Sequence, residues 1–192
     1  EISACLVGSE MCIRDSSIIG ETMEKRNVTV SAIVAAIVLI GDQLSKHWAE
    51  TWLRTNGEYK IWDGVLHLRY VENRGAAFGM MQGGKWFFLA ITGIACAAML
   101  YFLIKERKRL HFMMTFSIAL LLSGAIGNLI DRVALGYVRD MIYVALIDFA
   151  VFNVADMAVT VGCCLLVLDL LFFKGKKYME MMDKKPQTGE NS

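Results

Sequence analysis

The sequence predicts an all-α membrane protein with four transmembrane helices and a small extracytoplasmic β element between helices 1 and 2. Three observations carry this. Hydrophobic residues make up 56% of the 192-residue chain, and mean hydropathy is +0.45, too apolar for an ordinary soluble domain. Four apolar runs are each long enough to cross a bilayer at about 20 residues per helix. The single proline, Pro186, leaves those runs unbroken, since an interior proline would remove a helical hydrogen bond.

The four runs cover residues 28–48, 86–104, 112–130 and 154–173. A helix of a soluble bundle would present a polar face, and these runs present almost none. Between the first two lies "YKIWDGVLHLRYVEN" (residues 59–73), rich in β-formers with partial alternation. It is expected to form one or two short strands around Asp63-Gly64, too short to bury a core of its own.

Residues 1–22 lack both the basic start and the sustained apolar core of a signal peptide. At Met23 the chain turns to "MEKRNVTVSAIVAAIVLIG", a basic start before a long apolar stretch. Residues 1–22 are therefore expected to be a non-native or disordered extension, and a chain beginning at Met23 to be fully active. Residues 23–175 form one membrane domain, and residues 176–192 a disordered tail.

Basic clusters orient the spans by the positive-inside rule. Lys25 and Arg26 precede helix 1, "KERKR" (Lys105–Arg109) joins helices 2 and 3, and "KGKK" (Lys174–Lys177) follows helix 4. All fall on one side of a four-span chain. Both termini are then cytoplasmic, and residues 49–85 and 133–153 lie outside.

Depth can be estimated at about 1.5 Å per residue. Asp42 lies roughly 24 Å along helix 1 from Arg26, Asn128 roughly 28 Å along helix 3 from Arg109, and Asp156 roughly 27 Å along helix 4 from Lys174. The hydrocarbon core is about 30 Å thick. Three helices thus bring polar groups to one level near the outer surface. Asp169, near the cytoplasmic end, has no such company and is expected to be interfacial.

Spacing assigns faces. Asp42 and Lys46 are i,i+4 and can pair. Gly124, Asn128 and Asp131 share a face, with Arg132 one turn beyond Asn128, and Asn153 and Asp156 are i,i+3. Internal ion pairing accounts for Asp42–Lys46, and for Arg132 beside Asp131, about as well as function does. Asp156 has no basic residue within a turn, so function leads there. Asp140 and Asp148 lie in the outer segment between helices 3 and 4.

Several chemistries are excluded. A net charge of +1 gives no basic field for nucleic acid. There is no CxxC pair, and Cys96, Cys163 and Cys164 in apolar runs are expected to be buried and inert. His47, His67 and His111 do not cluster, so neither a metal site nor a base for a Ser or Cys nucleophile is expected. No cofactor is implied. A carboxylate pair remains. Two close carboxyls share one proton, so one can activate water while the other protonates the carbonyl or leaving amine. The rivals are a small transporter, which needs polar groups at mid-depth, and an assembly protein, in which the charges serve as internal ion pairs.

The motifs "DQLSK", "VENRGAAFG", "GAIGNLIDR", "YVRD" and "FNVAD" occur in that order. Together they resemble lipoprotein signal peptidase, also called signal peptidase II, over Met23 to about Phe173. The resemblance implies a bacterial inner-membrane aspartic endopeptidase. Such enzymes cut the signal peptide from prolipoproteins before a diacylglyceryl-modified cysteine. It maps the catalytic aspartates to Asp140 and Asp156. Supporting positions carry over to Asp42, Lys46, Asn73, Gly124, Asn128, Arg132, Asn153 and Ala155. Asn73 and Asn128 would orient substrate backbone or the catalytic pair, and Arg132 would hold the outer loop. Asp148 falls outside the motifs and is read as a loop residue. The partners implied are lipid-modified prolipoproteins and membrane phospholipid, with the monomer as default. "GAAFGMM" (residues 75–81) would help clamp the signal peptide.

Two positions depart from the family pattern. Its first catalytic motif commonly reads Val-Val-Asp-Phe, whereas this chain has "VRDM". Arg139 is expected to bias Asp140 toward its ionised form. Ala150 in "FAVFN" stands where proline is common, which would loosen the loop.

Overall fold

The computed structural model describes residues 2–75 and 85–173, without side-chain detail for residues 2–24 and 85. The proposed clamp residues from 76 onward and the tail 176–192 lie outside the described residues. Helix α1 runs Ile2–Trp48 and continues through a π-turn, Ala49–Leu53, into a last helical turn, Arg54–Asn56. It stops at Gly57, whose φ of 85° suits a residue without Cβ. Strands β1 (Tyr59–Trp62) and β2 (Leu66–Asn73) follow, then α2 (Lys85–Glu106), α3 (Phe112–Ala134), β3 (Val138–Val144) and α4 (Val154–Phe172).

Among the described residues, four helices are long and apolar enough to span a membrane. The central one is α3, which packs against α1, α2 and α4. Half of its apolar window is buried inside the protein, against none for α2. Outward rows such as Ile33, Ile37, Ile40 and Leu44 on α1 stay exposed. With lipid as solvent such rows cost nothing, while the backbone is satisfied within each helix. Cys163 and Cys164 share this fate: both are exposed, against the expectation of burial. A helix touching neighbours on one side only leaves the rest of its surface outward.

The β element is larger than expected. The turn at Asp63-Gly64 forms as predicted, with Gly64 at φ 74°. The sheet has a third strand, β3, contributed by the segment between α3 and α4, in the order β1-β2-β3. Both pairings are antiparallel. In the β2–β3 register Val71 faces Asp140 and Asn73 faces Val138. The free edge of β3 is closed by Phe152, bridged to Ile142.

Asp169 also departs from expectation. It is fully buried, and the His111 ring nitrogen Nε2 donates to its Oδ1 at 2.7 Å. His111 precedes α3 and Asp169 ends α4, so the pair ties those two helix ends together. The two residues are 58 apart in sequence, which hid the contact from local spacing.

Candidate active site

The site begins with the start of α4. Asn153 is its N-cap: its side-chain oxygen accepts from the Asp156 backbone N–H at 3.0 Å. Asp156 reciprocates, accepting from the Asn153 backbone N–H at 3.1 Å. This capping box fixes the Asp156 carboxylate at the positive end of the helix. The pattern Asn-x-x-Asp before an apolar run was visible in the sequence as a helix start.

The second carboxylate comes from β3. Asp140 is 2% exposed. It accepts from Asn153 Nδ2 at 2.6 Å and from Asn73 Nδ2, at the end of β2, at 3.0 Å. Asn153 therefore touches both carboxylates. Burial pushes the Asp140 carboxyl up to about 7; the Asp156 charge adds to the rise, and the two amide donors oppose it. Asp140 thus holds its proton near neutral pH, as one member of a close carboxyl pair does.

A deeper layer orients the amides. Asn128 on α3 donates from Nδ2 to Asp156 Oδ1 at 2.7 Å. Its own oxygen accepts from Lys46 Nζ at 2.9 Å and from Asn153 Nδ2 at 3.1 Å. Lys46 pairs with Asp42 at 2.8 Å, both fully buried. Asp42 Oδ1 in turn accepts the backbone N–H of Ala155 at 2.9 Å. A chain of bonds therefore runs from α1 through α3 to both aspartates. A buried network of this kind holds one geometry only when every member is satisfied.

Close packing makes that reach possible. A Cβ on Gly124 would lie 2.4 Å from the Ala155 carbonyl oxygen, so α3 and α4 touch backbone to side there. Arg132 lies farther out, with its guanidinium over the Phe88 ring and 3.5 Å from the Gly75 carbonyl. The ten residues named for the site in the sequence thus gather at one end of the bundle, on α1, α3, α4 and the adjoining strands.

Arg139 does not act as expected. It points away from Asp140, as alternate residues of a strand must. It donates to both Asp131 oxygens, at 2.8 and 3.2 Å, and pairs with Glu50 at 2.9 Å. These hydrogen bonds raise its own pKa further. Asp131 is fully buried, with Lys46 at 3.6 Å as second cation. Sequence reading missed this cluster, along with Gln43, which bonds Asp42 and Arg139. Among the described residues, Asp148 makes no hydrogen bond to either aspartate; it accepts from the Tyr143 hydroxyl at 2.6 Å and lines a cavity that Asp140 also lines.

Two cavities meet at Asp140. One, of about 540 Å³, is lined by Asp140, Asp156, Asn128 and Arg132, then by Met157, Thr160 and Val161 down the face of α4. The other, of about 490 Å³, is lined by Asp140, by Arg69 and Glu72 of β2 and by Arg74 just after it. An apolar trough and a polar one thus share Asn73 and Asp140 on their rims, with Asp156 on the apolar one alone.

The family model described as signal peptidase (SPase) II matches residues 34–172. The chain is 46% identical over 142 residues to a lipoprotein signal peptidase of Streptococcus thermophilus (strain CNRZ 1066), covering 73% of this chain and 92% of that one. It is 44% identical over 145 residues to one from Clostridioides difficile (strain 630), covering 75% and 97%. A solved structure described as a bacterial membrane enzyme superposes with a TM-score of 0.68 at 31% identity, over 85% of this chain and 95% of that one. A second, of the same description, gives 0.67 at 35%, over 75% and 94%.

Proposed function

This chain belongs to the signal peptidase II family, and on that premise we propose that it removes signal peptides from prolipoproteins as an aspartic endopeptidase. Its catalytic pair is Asp140 and Asp156, and it cuts before a diacylglyceryl-modified cysteine. The observation that carries the reading is the shared amide: Asn153 bonds Asp140 and caps the helix bearing Asp156, at the rim of one cavity.

The chemistry follows from the two environments. Asp140, the buried carboxyl, supplies the proton, and Asp156 acts as the base. Water attacks the scissile carbonyl carbon; Asp156 takes a proton from that water while Asp140 gives its proton to the carbonyl oxygen. The tetrahedral diol then collapses. Asp156 returns its proton to the departing amide nitrogen, and Asp140 recovers one from the diol hydroxyl. The carboxyls end as they began, and the C–N bond has been exchanged for C–OH and N–H. Asn73, Asn128 and Asn153 hold the carboxyls; Asp42 and Lys46 hold the asparagines.

The site faces the extracytoplasmic side if the basic clusters are inside. Trp48, Trp52, Tyr59 and Trp62 are all exposed at the site's end of the molecule, which fits a site at the level of a membrane interface on either side. The signal peptide would lie along α4 in the apolar trough, its acyl chains in the outer leaflet. Purified protein should cut a diacylglyceryl-modified prolipoprotein before its cysteine and leave unmodified precursor nearly untouched. Equal cleavage of both precursors would remove the lipid-recognition claim.

A further inference from the structure

On the opposite face of α3 from the aspartates' trough lies a third cavity, of about 490 Å³, between α1, α2 and α3. We propose that it seats one anionic phospholipid of the cytoplasmic leaflet, with an acyl chain in the groove and the phosphate at Arg107. The orientation rests on the basic clusters being cytoplasmic, and nothing in the inference depends on the dyad.

Size and shape suit an acyl chain. On α1 the groove runs from Val28 to Leu39, about 16 Å at ~1.5 Å per residue. One leaflet of the hydrocarbon core is about 15 Å deep, half of ~30 Å. Its floor on α1 is Ala32, Ala35 and Ala36, whose short side chains leave the trough open, while Leu103 and Leu122 form its far walls.

Two polar features mark one end. Ser31 lines the groove, is 2% exposed, and its hydroxyl has no hydrogen-bond partner within the protein. A buried hydroxyl left so is costly unless something outside the chain accepts its proton. A glycerol ester carbonyl is such an acceptor, and it would lie just below the phosphate. Arg107 lines the same groove, with exposed Lys105 and Lys108 as its neighbours. The Arg107 charge favours a net-anionic headgroup over a zwitterionic one, by about fivefold for one cation near such a surface.

Native mass spectrometry of the delipidated, purified protein tests this with phosphatidylglycerol and phosphatidylcholine. Wild type should retain one phosphatidylglycerol, roughly fivefold more readily than phosphatidylcholine. Arg107→Gln should erase the preference, and Ala35→Phe should abolish retention while leaving prolipoprotein cleavage unchanged. Photo-crosslinking wild type with a diazirine-acyl phosphatidylglycerol avoids any question of variant folding. Crosslinks should concentrate on Ala35, Leu103 and Leu122. Equal labelling of the outward residues Ile94 and Leu171, equal retention of the two lipids by wild type, or displacement of lipid by a second copy of the chain would each overturn the proposal.

Discussion

Asn153 donates a 2.6 Å hydrogen bond to Asp140 and caps the helix that carries Asp156 three residues on. One amide therefore sets the relative position of two carboxylates from different elements. Replacements can separate its two duties. Serine caps helices about as well as asparagine but does not reach Asp140. Asn153→Ser should keep the melting temperature near wild type while lowering kcat roughly 5- to 100-fold, since leaving a buried acceptor unpaired costs about 1–3 kcal/mol. Asn153→Ala should add a cap loss of about 1 kcal/mol. A serine variant with full turnover would show that the Asp140 contact is dispensable.

Asp140→Asn and Asp156→Asn should each reduce cleavage of lipid-modified precursor by roughly 10³-fold, within the usual range for losing a general acid or base. Substrate binding should persist, because most of the trough below the dyad is apolar. Measured kcat and KM settle it. Near-normal turnover in either variant would return the carboxylates to a structural role.

Asp140 makes the protein pH-sensitive in a stated direction. Its carboxyl titrates near 7 in the folded state, against 3.8 for the ordinary group. Between those values the folded state binds the extra proton, so stability falls as pH rises through the window. Cleavage should likewise fall above pH ~7 as the proton donor is lost. Melting curves at pH 5 and pH 8 check the sign: wild type should lose stability relative to Asp140→Asn on going to pH 8. Parallel behaviour of the two proteins would mean that Asp140 titrates normally.

How much of this was legible in the sequence depends on range. The spans were readable because lipid demands long apolar runs, and the meeting of Asp140, Asn153 and Asp156 because these residues sit in short, ordered motifs. Strand β3 was not, since its partner Asn73 lies 65 residues before Val138 and its alternate faces, Asp140 one way and Arg139 the other, are both polar. The role of Arg139 was misjudged for the same reason. Adjacency to Asp140 suggested an electrostatic influence, whereas the strand turns it toward Asp131 and Glu50. His111 and Asp169 met across two helices, which no local spacing could announce. The capping box of Asn153 and Asp156 was local and could have been read.

Arg139 now carries a different prediction. With its side chain removed, buried Asp131 would keep the backbone N–H of residue 139 at 3.0 Å but only Lys46, at 3.6 Å, as a cation. Stripping one partner from a buried ion pair costs about 3–5 kcal/mol. Arg139→Met should therefore lower the melting temperature markedly, yet leave the pH profile of the surviving activity unmoved. A shifted profile would restore the view that Arg139 tunes Asp140.

The contact of α3 with α4 at Gly124 links packing to chemistry. A Cβ there would meet the Ala155 carbonyl at 2.4 Å and the Val159 Cγ2 at 2.7 Å. The carbonyl is backbone and cannot swing aside, so the helices must part. Overpacking of this kind costs about 1–3 kcal/mol. The same displacement would pull Asn128, one turn along α3, from Asp156, whose 2.7 Å bond crosses that interface. Gly124→Ala should therefore lose activity out of proportion to its loss of stability. Gly41→Ala is the control, since nothing lies within 4 Å of a Cβ at that helical position. There the gain in helix propensity, about 1 kcal/mol, should leave the protein as stable as wild type or more so, with cleavage intact. Thermal melts and kcat/KM on both variants decide it: matching behaviour would mean that the α3–α4 contact does not hold the dyad.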